Sequence, residues 1–157
     1  MLETTQYGIL PSGIHEMSLE ELASLFDGFP KSPCRLRLFE TLKKYVQRLQ
    51  TLKIGTALIV DGSFMMSCVE TPKDIDVILV MPKEWDTTLE KIPQEYYNLL
   101  SPVGSEAEFA KIHLFIAADH SWEYHEWIRY FSGIKEDWRF IFDIPHNVSK
   151  GLIRVML

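Results

Sequence analysis

Two short apolar segments, separated by a Gly-Ser dipeptide and a loop, constrain the fold of this chain more than any other feature. Residues 56–60 are apolar and bounded by turn residues, which predicts a buried strand that ends just before Gly62 and Ser63. After the loop, residues 74–81 predict a second strand, which Pro82 ends. Because side chains alternate along a strand, Asp74 and Asp76 are expected on the same face of the sheet.

Two helices are predicted before these strands. Ser18 with Glu21 three residues later is a capping-box pattern, and Ser32 followed by Pro33 marks a second helix start that continues until Gly55. The apolar stripe of the second helix comprises Leu38, Leu42, Tyr45, Leu49 and Leu52. Its basic residues are interpreted as the solvent-facing side, and these are Arg35, Arg37, Lys43, Lys44 and Arg48.

The remaining segments complete an alternation of strands and helices. Residues 1–17 are expected to be a lead-in with little regular structure, and residues 64–69 one or two helical turns. The other predicted segments are a helix within 85–100, a strand at 112–118, a helix at 121–131, and short apolar segments at 138–144 and 152–157. Strands separated by helices predict a single α/β (α+β) domain.

Length and charge exclude several classes of protein. The 157 residues suffice for one domain, and the net charge of −6 argues against a general nucleic-acid coat or a basic membrane-surface protein. The two cysteines, Cys34 and Cys68, are far apart and form no CxxC pattern, so neither a disulfide framework nor a zinc ribbon is expected. With no signal-peptide pattern and no long apolar run, the sequence favours a cytoplasmic protein without a membrane partner.

The segment around the two strands carries residues suited to phosphate and metal chemistry. Gly62 has no Cβ, so phosphate groups could approach the backbone N–H groups closely, and Ser63 adds a hydroxyl donor. A helix that begins after Ser63 would point its positive end at the same place. Asp74 and Asp76 would repel each other unless a cation lay between them, and Mg²⁺ is a hard cation that prefers such oxygen ligands.

The Gly62-Ser63 turn followed by Asp74-Ile75-Asp76 resembles the signature of the nucleotidyltransferase superfamily. The resemblance is closest to the minimal bacterial nucleotidyltransferases, several of which are encoded beside a partner gene in toxin–antitoxin or phage-defence modules. Three longer motifs are similar to those of short nucleotidyltransferase-like bacterial proteins: the Pro-x-Gly-Ile-His opening at residues 11–15, the Asp-Gly-Ser-Phe turn at residues 61–64, and the Lys-Gly-Leu ending at residues 150–152.

This resemblance implies a fold, cofactors and a reaction. The fold would be a mixed sheet flanked by helices, and Mg²⁺ (or Mn²⁺) held by three carboxylates would align a nucleoside triphosphate (NTP) for transfer of NMP to a protein or RNA hydroxyl. Asp74 and Asp76 match the first two metal ligands, and Gly62 and Ser63 match the triphosphate turn. In the superfamily a third carboxylate comes from a neighbouring strand, where this chain has His113. The flanking acids that could replace it are Glu106, Glu108 and Asp119.

Other interpretations remain open. His113 is a softer ligand without negative charge, so the protein could be a catalytically degenerate binding module, antitoxin-like or regulatory, whose partner is encoded nearby. A third possibility is a small globular domain of unrelated fold, which Asp74 and Asp76 on different sheet faces would establish. The spacing of His120, Glu123 and His125 matches no metal motif and favours a helix surface. The aromatic residues between Trp122 and Trp138 are interpreted as core rather than as a base-stacking platform.

Overall fold

Five strands form one mixed sheet in the order β1-β5-β2-β3-β4 in the computed structural model, which describes residues 1–85, 96–100 and 107–157. The strands are β1 (Ile14–Glu16), β2 (Ala57–Asp61), β3 (Ile75–Met81), β4 (Ile112–Ala118) and β5 (Leu152–Met156). The pairs β1/β5 and β3/β4 are parallel, whereas β2 runs antiparallel to both β3 and β5. The mixed sheet with helices confirms the predicted α+β class.

The helices begin where the capping residues predict. In α1 (Leu19–Asp27), the Ser18 hydroxyl accepts from the Glu21 N–H while the Glu21 carboxylate accepts from the Ser18 N–H, so both halves of the capping box are present. In α2 (Pro33–Leu52), Pro33 occupies the first position and the left-handed Lys53 ends the helix, two residues before Gly55. The other helices are α3 (Tyr97–Leu100), α4 (Trp122–Ser132) and α5 (Glu136–Phe142). None of the described helices is long and apolar enough to span a bilayer.

The sheet separates two apolar clusters, as the alternation of side chains requires. Val77 and Leu79 contribute to the cluster that α1 and α2 cover. Ile78 and Val80 contribute to the cluster that contains Tyr124 and Phe131 of α4. Asp76 is two residues from Ile78 and therefore lies on the α4 side of the sheet.

Two parts of the chain differ from the sequence-based expectation, and a third is only partly described by the structure. Residues 14–16, expected to be irregular, form β1, and the preceding Ile9 and Leu10 are almost completely buried. Residues 64–69 do not form an α-helix, because a single 3₁₀ turn (Ser63–Met65) is followed by extended Met66. The helix expected within 85–100 is seen as Tyr97–Leu100, and residues 86–95 lie outside the described part.

Arg35 corrects the interpretation of the basic side of α2. It is only 2% exposed, and its guanidinium donates to three backbone carbonyls, those of Phe64, Met66 and Val69. The positions 35, 38, 42, 45 and 49 follow the spacing of the apolar stripe, so Arg35 faces inward on the same side as the leucines. Its role is to hold the segment that follows the Gly62-Ser63 turn.

Candidate metal and phosphate site

Asp74, Asp76 and His113 form a compact cluster at one end of the sheet. One ligand atom from each lies within 4.8 Å of the other two. The His113 Nδ1 is 3.4 Å from the Asp76 Oδ1, and the His113 Nε2 is 4.0 Å from the Asp74 Oδ2. The two acids therefore lie on the same side of the sheet, as the alternation of side chains predicts, and not on different faces, which would have indicated an unrelated fold.

The register of two parallel strands brings the cluster together. Asp76 of β3 is the direct partner of His113 of β4, and Asp74 immediately precedes β3. Residues paired in this way have side chains on the same face, so the alternation predicted from the sequence is sufficient to bring His113 to the acids. The exposed fractions of the side chains are 37% for Asp74, 23% for Asp76 and 52% for His113, so a small ion could reach all three.

The electrostatics at Asp76 favour a cation. Burial and the adjacent Asp74 carboxylate raise the pKa of Asp76, whereas His113, Lys135 and Lys150 oppose the shift without cancelling it. A carboxylate in this situation is poorly compensated when ionised. A divalent cation between Asp74 and Asp76 would supply the missing charge.

The Gly62-Ser63 turn lies directly against the acids. Gly62 has φ +93°, and a Cβ at this position would be 2.8 Å from the Asp76 Oδ2. Only glycine satisfies both the backbone conformation and the close contact. The predicted helix that would point its dipole at this place is absent from the described segment, since only the 3₁₀ turn follows. Any anion bound here would depend on backbone donors and neighbouring lysines.

A buried ion pair lies beneath the turn. The Lys150 Nζ donates to the Asp61 Oδ2 at 2.8 Å, and the side chains are only 10% and 3% exposed. Burial raises the pKa of Asp61 above its usual range, although Lys150 and the Gly62 backbone counteract the shift. Because Asp61 ends β2 and directly precedes Gly62, this pair fixes the start of the turn.

The three motifs noted in the sequence meet in space. The Gly151 N–H donates to the Leu10 carbonyl, and a Cβ on Gly151 would lie 2.0 Å from the Pro11 carbonyl oxygen. His15 Nε2 lies 2.7 Å from the same carbonyl oxygen. The opening at residues 11–15 therefore packs on Gly151, and the adjacent Lys150 reaches Asp61 in the turn motif.

A cavity of about 500 Å³ opens at the acid cluster. Its lining includes every predicted site residue except His113, which lies within 4.0 Å of the lining residues Asp74 and Asp76. Three lysines contribute to the lining, namely Lys73, Lys135 and Lys150. The lining also contains four aromatic residues, namely Phe115, Tyr130, Phe131 and Trp138.

The other acids considered for the third carboxylate are placed elsewhere. Glu108 lies 3.7 Å from Lys44 of α2, and Asp119 follows the far end of β4, where its N–H donates to the Met81 carbonyl. Glu106 lies outside the described residues. His113 therefore occupies the third position of the cluster among the residues that the structure describes.

Two further sequence interpretations have mixed outcomes. His120, Glu123 and His125 are all exposed, but only Glu123 and His125 lie on the surface of α4, because His120 precedes the N-cap residue Ser121. Of the aromatic residues between Trp122 and Trp138, Tyr124 and Phe131 are buried, but Trp122 is 73% and Tyr130 63% exposed. The core interpretation is therefore wrong for Trp122 and Tyr130.

Lys150 is one of the site residues whose place sequence reasoning missed. The chain shows it only as the first residue of the Lys-Gly-Leu ending, and its partner Asp61 lies 89 positions earlier. No local spacing links the two residues, because the contact depends on the antiparallel pairing of β2 with β5.

Comparison with known proteins identifies the family. A family model described as a family of unknown function (DUF6932) matches residues 2–156. No curated protein and no solved structure matches the sequence. Because the match spans nearly the whole sequence, the chain belongs to the DUF6932 family.

Proposed function

We propose that the protein is a nucleotidyltransferase that depends on Mg²⁺ or Mn²⁺ and transfers NMP from an NTP to a protein or RNA hydroxyl. The new bond joins the acceptor oxygen to the α-phosphate, and the bond to the β-phosphate breaks with release of pyrophosphate. The observation that carries this proposal is the contact between the Gly62 turn and the acid cluster. Gly62 lies so close to the Asp76 carboxylate that there is no room for a Cβ atom. A phosphate-binding turn and a metal-binding pair in direct contact suit a metal–triphosphate complex better than either ligand alone.

The donor set fits a divalent cation. Asp74 and Asp76 supply carboxylate oxygens, which suit Mg²⁺ and Mn²⁺, and His113 offers an imidazole nitrogen that Mg²⁺ rarely accepts. The raised pKa of Asp76 supports a cation at this place. When bound, such a cation polarises the phosphoryl oxygen and stabilises the developing charge.

The protein's own residues would bind and orient the substrate. The open backbone at Gly62 and the Ser63 hydroxyl would donate hydrogen bonds to the phosphates, and Lys73 and Lys135 add positive charge to the same cavity. Lys150 holds Asp61 and thereby the turn. His113, 3.4 Å from Asp76, would accept a proton from an acceptor hydroxyl bound beside the acids.

A second candidate function is nucleotide binding without transfer. The observation that favours it is the direct pairing of His113 with Asp76, where the resemblance implies a carboxylate. An imidazole provides no negative charge for a second cation, so the phosphates could bind in an unreactive arrangement. The protein would then act as an antitoxin-like or regulatory subunit for a partner encoded nearby.

Nucleotide transfer provides the first test. The purified chain is incubated with each of the four α-labelled NTPs and Mg²⁺ or Mn²⁺, with bacterial protein and RNA as acceptors. We expect label on an acceptor only when the metal is present, loss of labelling in Asp76→Asn, and unchanged labelling in the exposed control Asp27→Asn.

Binding by calorimetry separates the two candidates. Metal-dependent NTP binding that Asp74→Asn abolishes, without transfer to any acceptor, supports the binding module. In that case His113→Asp restores a carboxylate and is expected to produce transfer. If no NTP binds in the presence of either metal, both candidate functions are contradicted.

A further inference from the structure

The cavity beside the acid cluster has two chemically different walls. The polar part of the lining contains the turn, the two acids and the lysines described above. The aromatic part is formed by residues from β4, α4 and α5. We call this the aromatic wall, and it consists of Phe115, Tyr130, Phe131 and Trp138.

Tyr130 and Trp138 are the accessible members of the aromatic wall. Phe131 is 6% exposed and packs with Phe115, their ring centroids being 5.0 Å apart, so these two residues form the base of the wall. Tyr130 is 63% exposed, and its ring meets Phe131 edge to face at 5.2 Å. Trp138 is half-buried and stacks on Phe142. The wall therefore presents supported aromatic rings to the cavity.

We infer that the aromatic wall binds the nucleobase of the substrate, an inference that rests on the proposed function for the position of the phosphates. A nucleotide has a polyanionic end and a flat, weakly polar end, and the two walls have the corresponding chemistry within one cavity of about 500 Å³. Bases of every kind stack on tyrosine and tryptophan rings, because each base has a π-face. The wall thus selects nucleotides over pyrophosphate or tripolyphosphate and discriminates only modestly among bases.

Calorimetry with two probes tests the aromatic wall. ATP and inorganic tripolyphosphate are each titrated into the full chain in the presence of Mn²⁺. Tyr130→Ala removes the ring from an exposed position, Tyr130→Phe keeps the ring, and Phe140→Ala removes a 90% exposed ring on α5 that does not line the cavity. We expect Tyr130→Ala to weaken ATP binding about five-fold or more while tripolyphosphate binding stays unchanged.

The controls separate failure of this inference from failure of the proposed function. Tyr130→Phe and Phe140→Ala are expected to bind ATP within about two-fold of the parent protein. If Tyr130→Ala binds ATP like the parent, or loses affinity equally for ATP and tripolyphosphate, the aromatic wall does not bind the base, whereas the metal–phosphate site stands. If the parent protein binds neither probe, the proposed function and this inference are both overturned.

Discussion

Two structural requirements, a positive φ and a close contact with Asp76, both demand glycine at position 62. Its φ of +93° is accessible to glycine and strained for other residues, and its Cα faces the Asp76 carboxylate without room for a methyl group. Backbone conformation and site geometry are therefore coupled at this position. A substitution here should affect both stability and metal binding.

We expect Gly62→Ala to lower the free energy of unfolding by about 1–3 kcal/mol and to weaken Mn²⁺ binding, because the new methyl group displaces the Asp76 carboxylate. Gly13→Ala is the matched control, since Gly13 has φ +114° but its Cβ would meet nothing within 4 Å. Urea unfolding and Mn²⁺ calorimetry measure the two effects. Strain alone lowers stability in both variants, so unchanged Mn²⁺ affinity in Gly62→Ala would contradict the contact with Asp76.

Lys150 compensates a buried carboxylate. Because the folded-state pKa of Asp61 is raised even with Lys150 present, the folded protein holds its proton at pH values where the unfolded chain has lost it. The contribution of this group to stability therefore falls as pH rises from the ordinary pKa of Asp61 through its raised pKa. Removal of Lys150 raises the pKa of Asp61 further and makes the cost at neutral pH larger.

We expect Lys150→Met to lower the free energy of unfolding by about 3–5 kcal/mol at pH 8, where Asp61 is left charged and unpaired. We expect a smaller loss at pH 5, because the raised pKa of Asp61 favours its protonated form as the pH falls. Urea unfolding at the two pH values measures the difference, and Asp61→Asn combined with Lys150→Met should recover most of the stability. An equal loss at both pH values would show that the pair does not act through the charge of Asp61.

Among the elements, α2 does more than cover the sheet. Arg35 in its first turn donates to carbonyls within and after the 3₁₀ turn. The hydroxyl of its N-cap residue, Ser32, donates to the Glu70 carbonyl at 2.6 Å. The segment from Gly62 to Glu70 contains little regular structure, so these side-chain donors replace a helix in satisfying its backbone. Hydrogen bonds from Arg35 and Ser32 thus hold the segment that follows the turn at the site.

We expect Arg35→Met to lower the free energy of unfolding by about 3 kcal/mol or more, because it removes charged donors from three buried carbonyls. Arg37→Met, at an exposed position of the same turn, should change stability by about 0.5 kcal/mol or less. Urea unfolding gives the two values, and hydrogen exchange should show faster exchange at residues 63–69 in Arg35→Met alone. Similar losses in both variants would mean that Arg35 does not hold the turn.

The elements that the sequence predicts well are those with local determinants. The caps of α1 and α2 depend on hydrogen bonds over three residues, and β4 matches its predicted bounds because its run is apolar apart from His113. The acid cluster is predictable for the same reason, since strand alternation places Asp74 and Asp76 together. The position of Arg35 was also readable from its spacing with Leu38 and Leu42, but its charge suggested the opposite side.

The parts that the sequence does not predict depend on distant partners. Strand β1 has only three residues, and the first and last of them are exposed. It forms because β5, which is distant in the sequence, pairs with it. The Asp61–Lys150 pair likewise needs β5 beside β2. The 3₁₀ turn after Gly62 is set by Arg35 rather than by the helix propensity of residues 64–69.

Across the whole molecule, both ends of the chain reach the sheet next to the site. The N-terminal segment lies against β5 and Gly151, and β5 lies against β2, which carries Asp61 and leads into Gly62. A continuous path of backbone pairs therefore runs from residues 10–16 to the candidate site. The N-terminal segment belongs to the structural unit that supports the turn.

The burial of Leu10 allows the contribution of the N-terminal segment to stability to be measured. Leu10 is 1% exposed, packs in the cluster beneath α1 and α2, and accepts a hydrogen bond from Gly151, whereas Ile14 in β1 is 42% exposed. We expect Leu10→Ala to lower the free energy of unfolding by about 2–5 kcal/mol and Ile14→Ala by about 1 kcal/mol or less. Urea unfolding compares the two variants. If Leu10→Ala lowered the free energy of unfolding no more than Ile14→Ala, the N-terminal segment would be peripheral to the fold. A much larger loss in Leu10→Ala means that residues near the N-terminus hold β5, and with it Lys150, in place.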